Sequence, residues 1–136
     1  MVALTEDRNT KMQDAELVAQ PVAANAVCHA GGLAVLNATG FAAPGTTALN
    51  LLSFGRFEQA VDNTGGADGD QEILIRRGKA FYWQNHGADL VAQANVRQNC
   101  FIVDDQTVAA TNGAGTRSIA GVVVAVDANG VWVEAP

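Results

Sequence analysis

The sequence predicts an all-β protein: a small antiparallel sandwich or barrel with one short helix and an extended N-terminal arm. Three observations lead there. The apolar residues fall in short stretches, and turn-forming clusters such as Asn37-Ala38-Thr39-Gly40, Asp62 to Asp70 and Asp127-Ala128-Asn129-Gly130 separate them. The C-terminal stretch alternates, with Val122, Val124 and Val126 on one side of a strand and Val123, Ala125 and Asp127 on the other. No succession of long helices alternates with strands as a parallel sheet would require.

The elements follow in order. Residues 1–21 are polar and irregular in pattern, and Pro21 stops any helix begun at Asp14-Ala15-Glu16-Leu17-Val18, so they form an arm ahead of a single β-rich domain, residues 22–136. Ala26 to Phe41 has the grammar of a hairpin, broken by Gly31-Gly32 and Asn37 to Gly40. Ala42 to Thr47, with Pro44-Gly45, reads as a loop. Leu49 to Phe57 returns to extended structure, with a bulge at Gly55.

Asp62 to Asp70 is a long turn, rich in the residues that tolerate tight backbone. Glu72 to Gln84 is a strand pair or one strand bent at Gly78. Its three consecutive aromatics, Phe81, Tyr82 and Trp83, cannot all face one core. Ala88 to Gln98 is the short helical stretch. Asp104-Asp105 ends a strand and caps the turn at Gln106. In the last hairpin Val122, Val124 and Val126 form the core face, joined by Val131 and Val133. Asn129-Gly130 supplies the positive φ angles of a tight turn. Trp132 falls on the opposite face, across from Ala125 or Asp127, where it either caps its own core or meets a second surface.

Composition narrows the function. With 136 residues the chain is one domain by length, large enough to fold without metal or disulfide. Only 16% of residues are charged, a surface that suits a partner. The net charge of −6, with basic residues scattered apart from Arg76-Arg77, carries no footprint for nucleic acid. No apolar run is long enough for a membrane-spanning helix, and the first residues lack the pattern of a signal peptide, so the expected place of synthesis is cytoplasm. Cys28 and Cys100 are then two free, buried thiols.

No catalytic or metal-binding constellation stands out. Asp62, Asp68 and Asp70 fail the calcium-loop spacings, and Cys28-His29 with His86 and Cys100 lacks the paired close spacings of a zinc site. Ser53 and Ser118 lie outside any nucleophile-elbow sequence, and Gly113-Ala114-Gly115-Thr116 lacks the lysine of a phosphate loop. The chain therefore reads as a non-enzyme with no metal and no cofactor. Arg117, between the Gly-rich loop and the Val strand, can hold Asp104, Asp105 or a carboxylate of a neighbouring subunit, or stand solvated.

Several segments, in order, resemble one family. Asp62-Asn63-Thr64-Gly65-Gly66-Ala67-Asp68-Gly69-Asp70, Arg76-Arg77-Gly78, Cys100 to Asp105, Gly115-Thr116-Arg117-Ser118 and Gly130-Val131-Trp132-Val133 are similar to the head decoration, or capsid cement, proteins of tailed bacteriophages and prophages. The similarity runs from about Ala60 to Val133. It implies a structural virion protein, made in the host bacterial cytoplasm, that sits on the outer surface of the expanded head as a homotrimer on the major capsid protein. On this reading of the whole chain the arm, Leu4 and Met12 included, becomes ordered against the capsid, and Tyr82, Trp83, Arg117 and Trp132 are candidate subunit or shell contacts. The competing expectation is a β-sandwich carbohydrate- or receptor-binding module whose exposed Tyr82, Trp83 or Trp132 stacks on sugars.

Overall fold

A computed structural model describes residues 2–136, which are built almost wholly from strands. In chain order these are β1 (Leu17–Pro21), β2 (Val27–Cys28), β3 (Leu33–Leu36), β4 (Ala42–Pro44), β5 (Leu52–Phe57) and β6 (Val61–Asp62). There follow β7 (Glu72–Arg76), β8 (Ala80–Asn85), β9 (Asn99–Ile102), β10 (Thr107–Ala109), β11 (Ile119–Val126) and β12 (Val131–Glu134). The all-β class is as expected. A five-stranded sheet runs β1-β7-β5-β3-β4, and β10-β8-β12-β11-β9 close into a barrel. Closure uses one parallel pair, β8 with β10, in an otherwise antiparallel set. The short pair β2-β6 stands beside them.

The two sheets share a strand's worth of core. In β3, Leu33 and Val35 belong to the barrel's apolar cluster with Phe81, Trp83, Ile102, Val123 and Val131. Ala34, between them, belongs to the other cluster, with Val22, Phe57, Ile73 and Ile75. A strand with period two can serve two cores only if both its faces are covered, and Leu33, Ala34 and Val35 are all fully buried.

Several expectations need correction. The arm ends earlier than Pro21: Leu17–Pro21 pairs antiparallel with β7, and Val2 to Glu16 are the exposed residues outside any helix or strand. Ala42–Pro44, expected as loop, is an edge strand, a position where proline's missing N–H costs nothing. The helix expected over Ala88 to Gln98 is one 3-10 turn at Gln93–Asn95 without a buried residue, because the segment has no apolar stripe to dock. Glu72 to Gln84 is neither a pair nor one bent strand, since Gly78, at φ +72°, carries the chain from one sheet into the other.

The last hairpin differs most. Val122 and Val124 are exposed, whereas Ala120 and Val123 face the core. Register shifts on both partners of β11 break the simple alternation, so Val126 packs against the core beside Val123 rather than beside Val124. Neither Asn129 nor Gly130 has a positive φ. The turn is held by Asp127, whose Oδ1 accepts the backbone N–H groups of Asn129 (2.8 Å) and Gly130 (2.9 Å). Glycine is needed at 130 for space: a Cβ there would lie 2.7 Å from Tyr82 Cζ and 2.7 Å from the Trp83 carbonyl oxygen.

Two bulges bring backbones unusually close. Gly55 (φ +155°) lies where the β3–β5 register shifts, and an added Cβ would sit 2.1 Å from the Arg76 carbonyl oxygen. Gly121 (φ +156°) is its counterpart in the barrel, 2.2 Å from the Glu134 carbonyl oxygen. Gly55→Ala and Gly121→Ala should therefore each destabilise the protein by about 2–3 kcal/mol in urea denaturation. Gly87→Ala, with open space around it, should change stability by less than about 0.5 kcal/mol.

Candidate functional site

The aromatic run on β8 alternates as the strand geometry demands. Phe81 and Trp83 turn into the barrel, with Trp83 only 6% exposed, and their rings lie 6.2 Å apart in the core. Trp83 is therefore a core residue and not a contact residue, which corrects the expectation for it. Tyr82 points outward, 40% exposed, beside its cross-strand neighbour Trp132, 42% exposed, with ring centroids 4.8 Å apart. Trp132 is opposite Ala125, as expected. The Tyr82 hydroxyl donates to Asp127 Oδ1, which fixes the ring over Gly130. That bond and the turn's N–H groups hold the Asp127 carboxyl below its usual range, and the same carboxylate raises the Tyr82 hydroxyl.

Beside this pair lies a groove of about 510 Å³ whose walls include Arg56, Arg76 and Lys79 as well as Tyr82 and Trp132. Arg56 on β5 and Arg76 on β7 are directly opposed across the two strands. Glu58 holds them together: its Oε1 accepts from Arg56 Nη2 and, at 3.2 Å, from Arg76 Nε. These hydrogen bonds, that from Arg76 foremost, pull the Glu58 carboxyl below its ordinary value. The Arg56 guanidinium lies 5.5 Å from the centroid of the Phe81 ring, and Lys79 Nζ lies 3.9 Å from Glu16. Sequence reasoning noticed only the Arg76-Arg77 doublet, since Arg56 is twenty residues away and joins it through β-pairing.

Arg117 is also placed differently from expectation. It does not reach Asp104 or Asp105; its Nη1 donates to Asp89 Oδ2 at 2.9 Å and to the Thr111 carbonyl oxygen at 3.2 Å. Asp89 Oδ2 accepts further from the Thr111 N–H and hydroxyl. Gly113 permits the packing, because a Cβ there would be 3.0 Å from the guanidinium carbon. The pair is largely buried and ties the Gly-rich loop to the barrel. Next to it runs an apolar groove of about 500 Å³ along Leu49, Leu52, Phe101 and Ile119. Asp104 does cap the turn at Gln106, accepting its N–H at 3.0 Å.

The other singled-out residues do not converge. Leu4 and Met12 stand exposed on the arm, 71% and 96%. Cys28 and Cys100 are free and buried, and burial pushes their thiols up to about 11 and about 12, the former helped by Asp105. Among the described residues no three His, Cys, Asp or Glu side chains are grouped to hold a metal, and no helix is long and apolar enough to cross a membrane. The turn from Asp62 to Asp70 does more than reverse the chain. Buried Asn63 donates to the carbonyl oxygens of Ala23 (2.8 Å) and Ala67 (3.1 Å), and Asp68 accepts the Ala24 N–H at 2.7 Å.

Compared with known proteins, the chain matches no family model, no curated protein and no solved structure.

The Asp89 site makes a pH-dependent contribution whose direction follows from its partners. The Thr111 hydroxyl, then the Thr111 N–H and Arg117, lower its folded pKa below the ordinary 3.8. The stabilisation is therefore complete above 3.8 and lost as the pH falls through the depressed folded value. Asp89→Asn, which leaves Arg117 without its carboxylate, should cost about 1–3 kcal/mol at neutral pH. Chemical denaturation across pH 7 to about 2 should show the gap between variant and wild type closing at the acid end.

Proposed function

We propose that this chain is a structural virion protein of a tailed bacteriophage, one that binds the outside of the expanded capsid as a trimer and stabilises the shell. The observation that carries this reading is the N-terminal segment. Val2, Leu4 and Met12 stand exposed on a stretch that forms no helix or strand. Full burial of such side chains is worth roughly 1.5–3 kcal/mol each, which a partner surface would recover. The decoration-protein-like segments between Ala60 and Val133 indicate the major capsid protein as that surface. Because the protein is acidic, a position outside the shell also keeps it away from packaged DNA.

The apolar surface formed by Leu49, Leu52 and Ile119 suits contact between copies better than Tyr82 and Trp132, which stand among cations. Trp83 has no part in it, and Arg117 acts within its own chain. Each copy bridging neighbouring capsid subunits adds modest binding free energy, and many such clamps must open before the shell ruptures. A second reading, a carbohydrate- or receptor-binding module, draws on the exposed Tyr82–Trp132 pair beside the cationic groove.

Deleting Val2 to Gln13 should lower occupancy on expanded capsids by at least about tenfold in a co-sedimentation assay, with the circular dichroism of the domain unchanged. Full occupancy by the shortened chain would remove the arm from the contact. Leu52→Glu should weaken trimer formation, read as a loss of trimer mass on sedimentation. A wild-type monomer in solution together with no three-fold clusters on the shell would remove the trimer.

A further inference from the structure

The groove beside Tyr82 and Trp132 holds an arrangement that folding alone does not explain. Of the eight basic residues in the chain, Arg56, Arg76 and Lys79 line this one groove, whereas Arg8 and Lys11 lie on the arm. Arg56 and Arg76 face each other directly across β5 and β7, and like charges so placed destabilise a sheet. Glu58 relieves only part of that: a single oxygen serves both guanidinium groups, and its carboxylate is not part of the groove wall. Lys79 has only Glu16 near it, 3.9 Å away, so three cations meet two carboxylates next to two exposed, adjoining aromatic rings.

We propose that this groove is a binding site for an acidic glycan, a chain of sugars carrying carboxylates. A concave site lined by aromatics with a few fixed charged groups is the usual form of a small-ligand site. The Tyr82 and Trp132 rings offer a stacking platform for sugar faces. Arg76 and Arg56 offer planar donors matched to a carboxylate, and Lys79, 54% exposed, adds a flexible charge at the groove's edge. The two adjoining exposed rings favour sugar faces over an acidic peptide, whose main chain would instead need the outer edge of β8, which is paired with β10 only at Gln84 and Asn85. The site is independent of the capsid reading and stands whether or not the arm binds a shell.

Calorimetric titration of the full chain with oligogalacturonate tests the site, with a neutral glucose oligomer and poly-glutamate of similar length as comparison probes. Saturable binding of oligogalacturonate is expected, with no measurable binding of the neutral oligomer. The double variant Arg76→Gln/Lys79→Gln should weaken it by about tenfold or more. Arg8→Gln/Lys11→Gln, which removes the same charge from the arm, should change it by less than about twofold. Trp132→Leu should weaken binding while leaving urea stability close to wild type. Equal loss in the arm variant would reduce the effect to general attraction, and poly-glutamate binding as tightly would make the partner an acidic peptide. Either result, or no saturable binding, overturns the proposal.

Discussion

The double burial of β3 is the constraint on which the rest of the structure depends. Leu33 and Val35 close the barrel's core while Ala34 closes the core of the open sheet, so one four-residue strand welds the two together. Removing the Leu33 side chain would open a cavity at the junction, at a cost typical of buried leucine, about 2–5 kcal/mol. The weld also fixes the groove. It sets β5 and β7, which carry Arg56 and Arg76, against the wall formed by β8 and β12, which carry Tyr82 and Trp132.

Close backbone approach is the second constraint. At Gly55, Gly121 and Gly130 a carbonyl or a ring occupies the space a side chain would need. The first two sit at bulges that change which residues of β5 and β11 face the core. The third lets the Tyr82 ring lie over the hairpin turn, where Asp127 anchors its hydroxyl. The exposed aromatic pair is therefore held in place by the turn beneath it.

Much of this was legible in the sequence, and the failures have physical causes. Turn residues marked the β3–β4 reversal, the long loop after Asp62 and the final hairpin, because Asn, Asp and Gly act locally. The aromatic run correctly required one ring to face outward, and Tyr82 is that ring. Trp83 could be assigned only once the register of β8 was known. Val122 and Val124 were misassigned because a bulge inverts a period-two pattern, and nothing in a run of valines reveals where it falls. The partner of Arg117 and the gathering of Arg56 with Arg76 are products of long-range pairing, which local patterns do not carry.

Two parts of the chain differ in character: an exposed, mostly polar arm carrying Val2, Leu4 and Met12, and a folded domain in which Asp89 and Arg117 pair within the chain. Such a division suits a rigid clamp with a separate attachment segment, since the ordering cost on binding is confined to the arm. The molar ratio of this chain to the major capsid protein in purified phage particles tests the central claim most directly. The account predicts a ratio of about one, as expected for clamps distributed over the whole shell. A few copies per particle, or none, would contradict it.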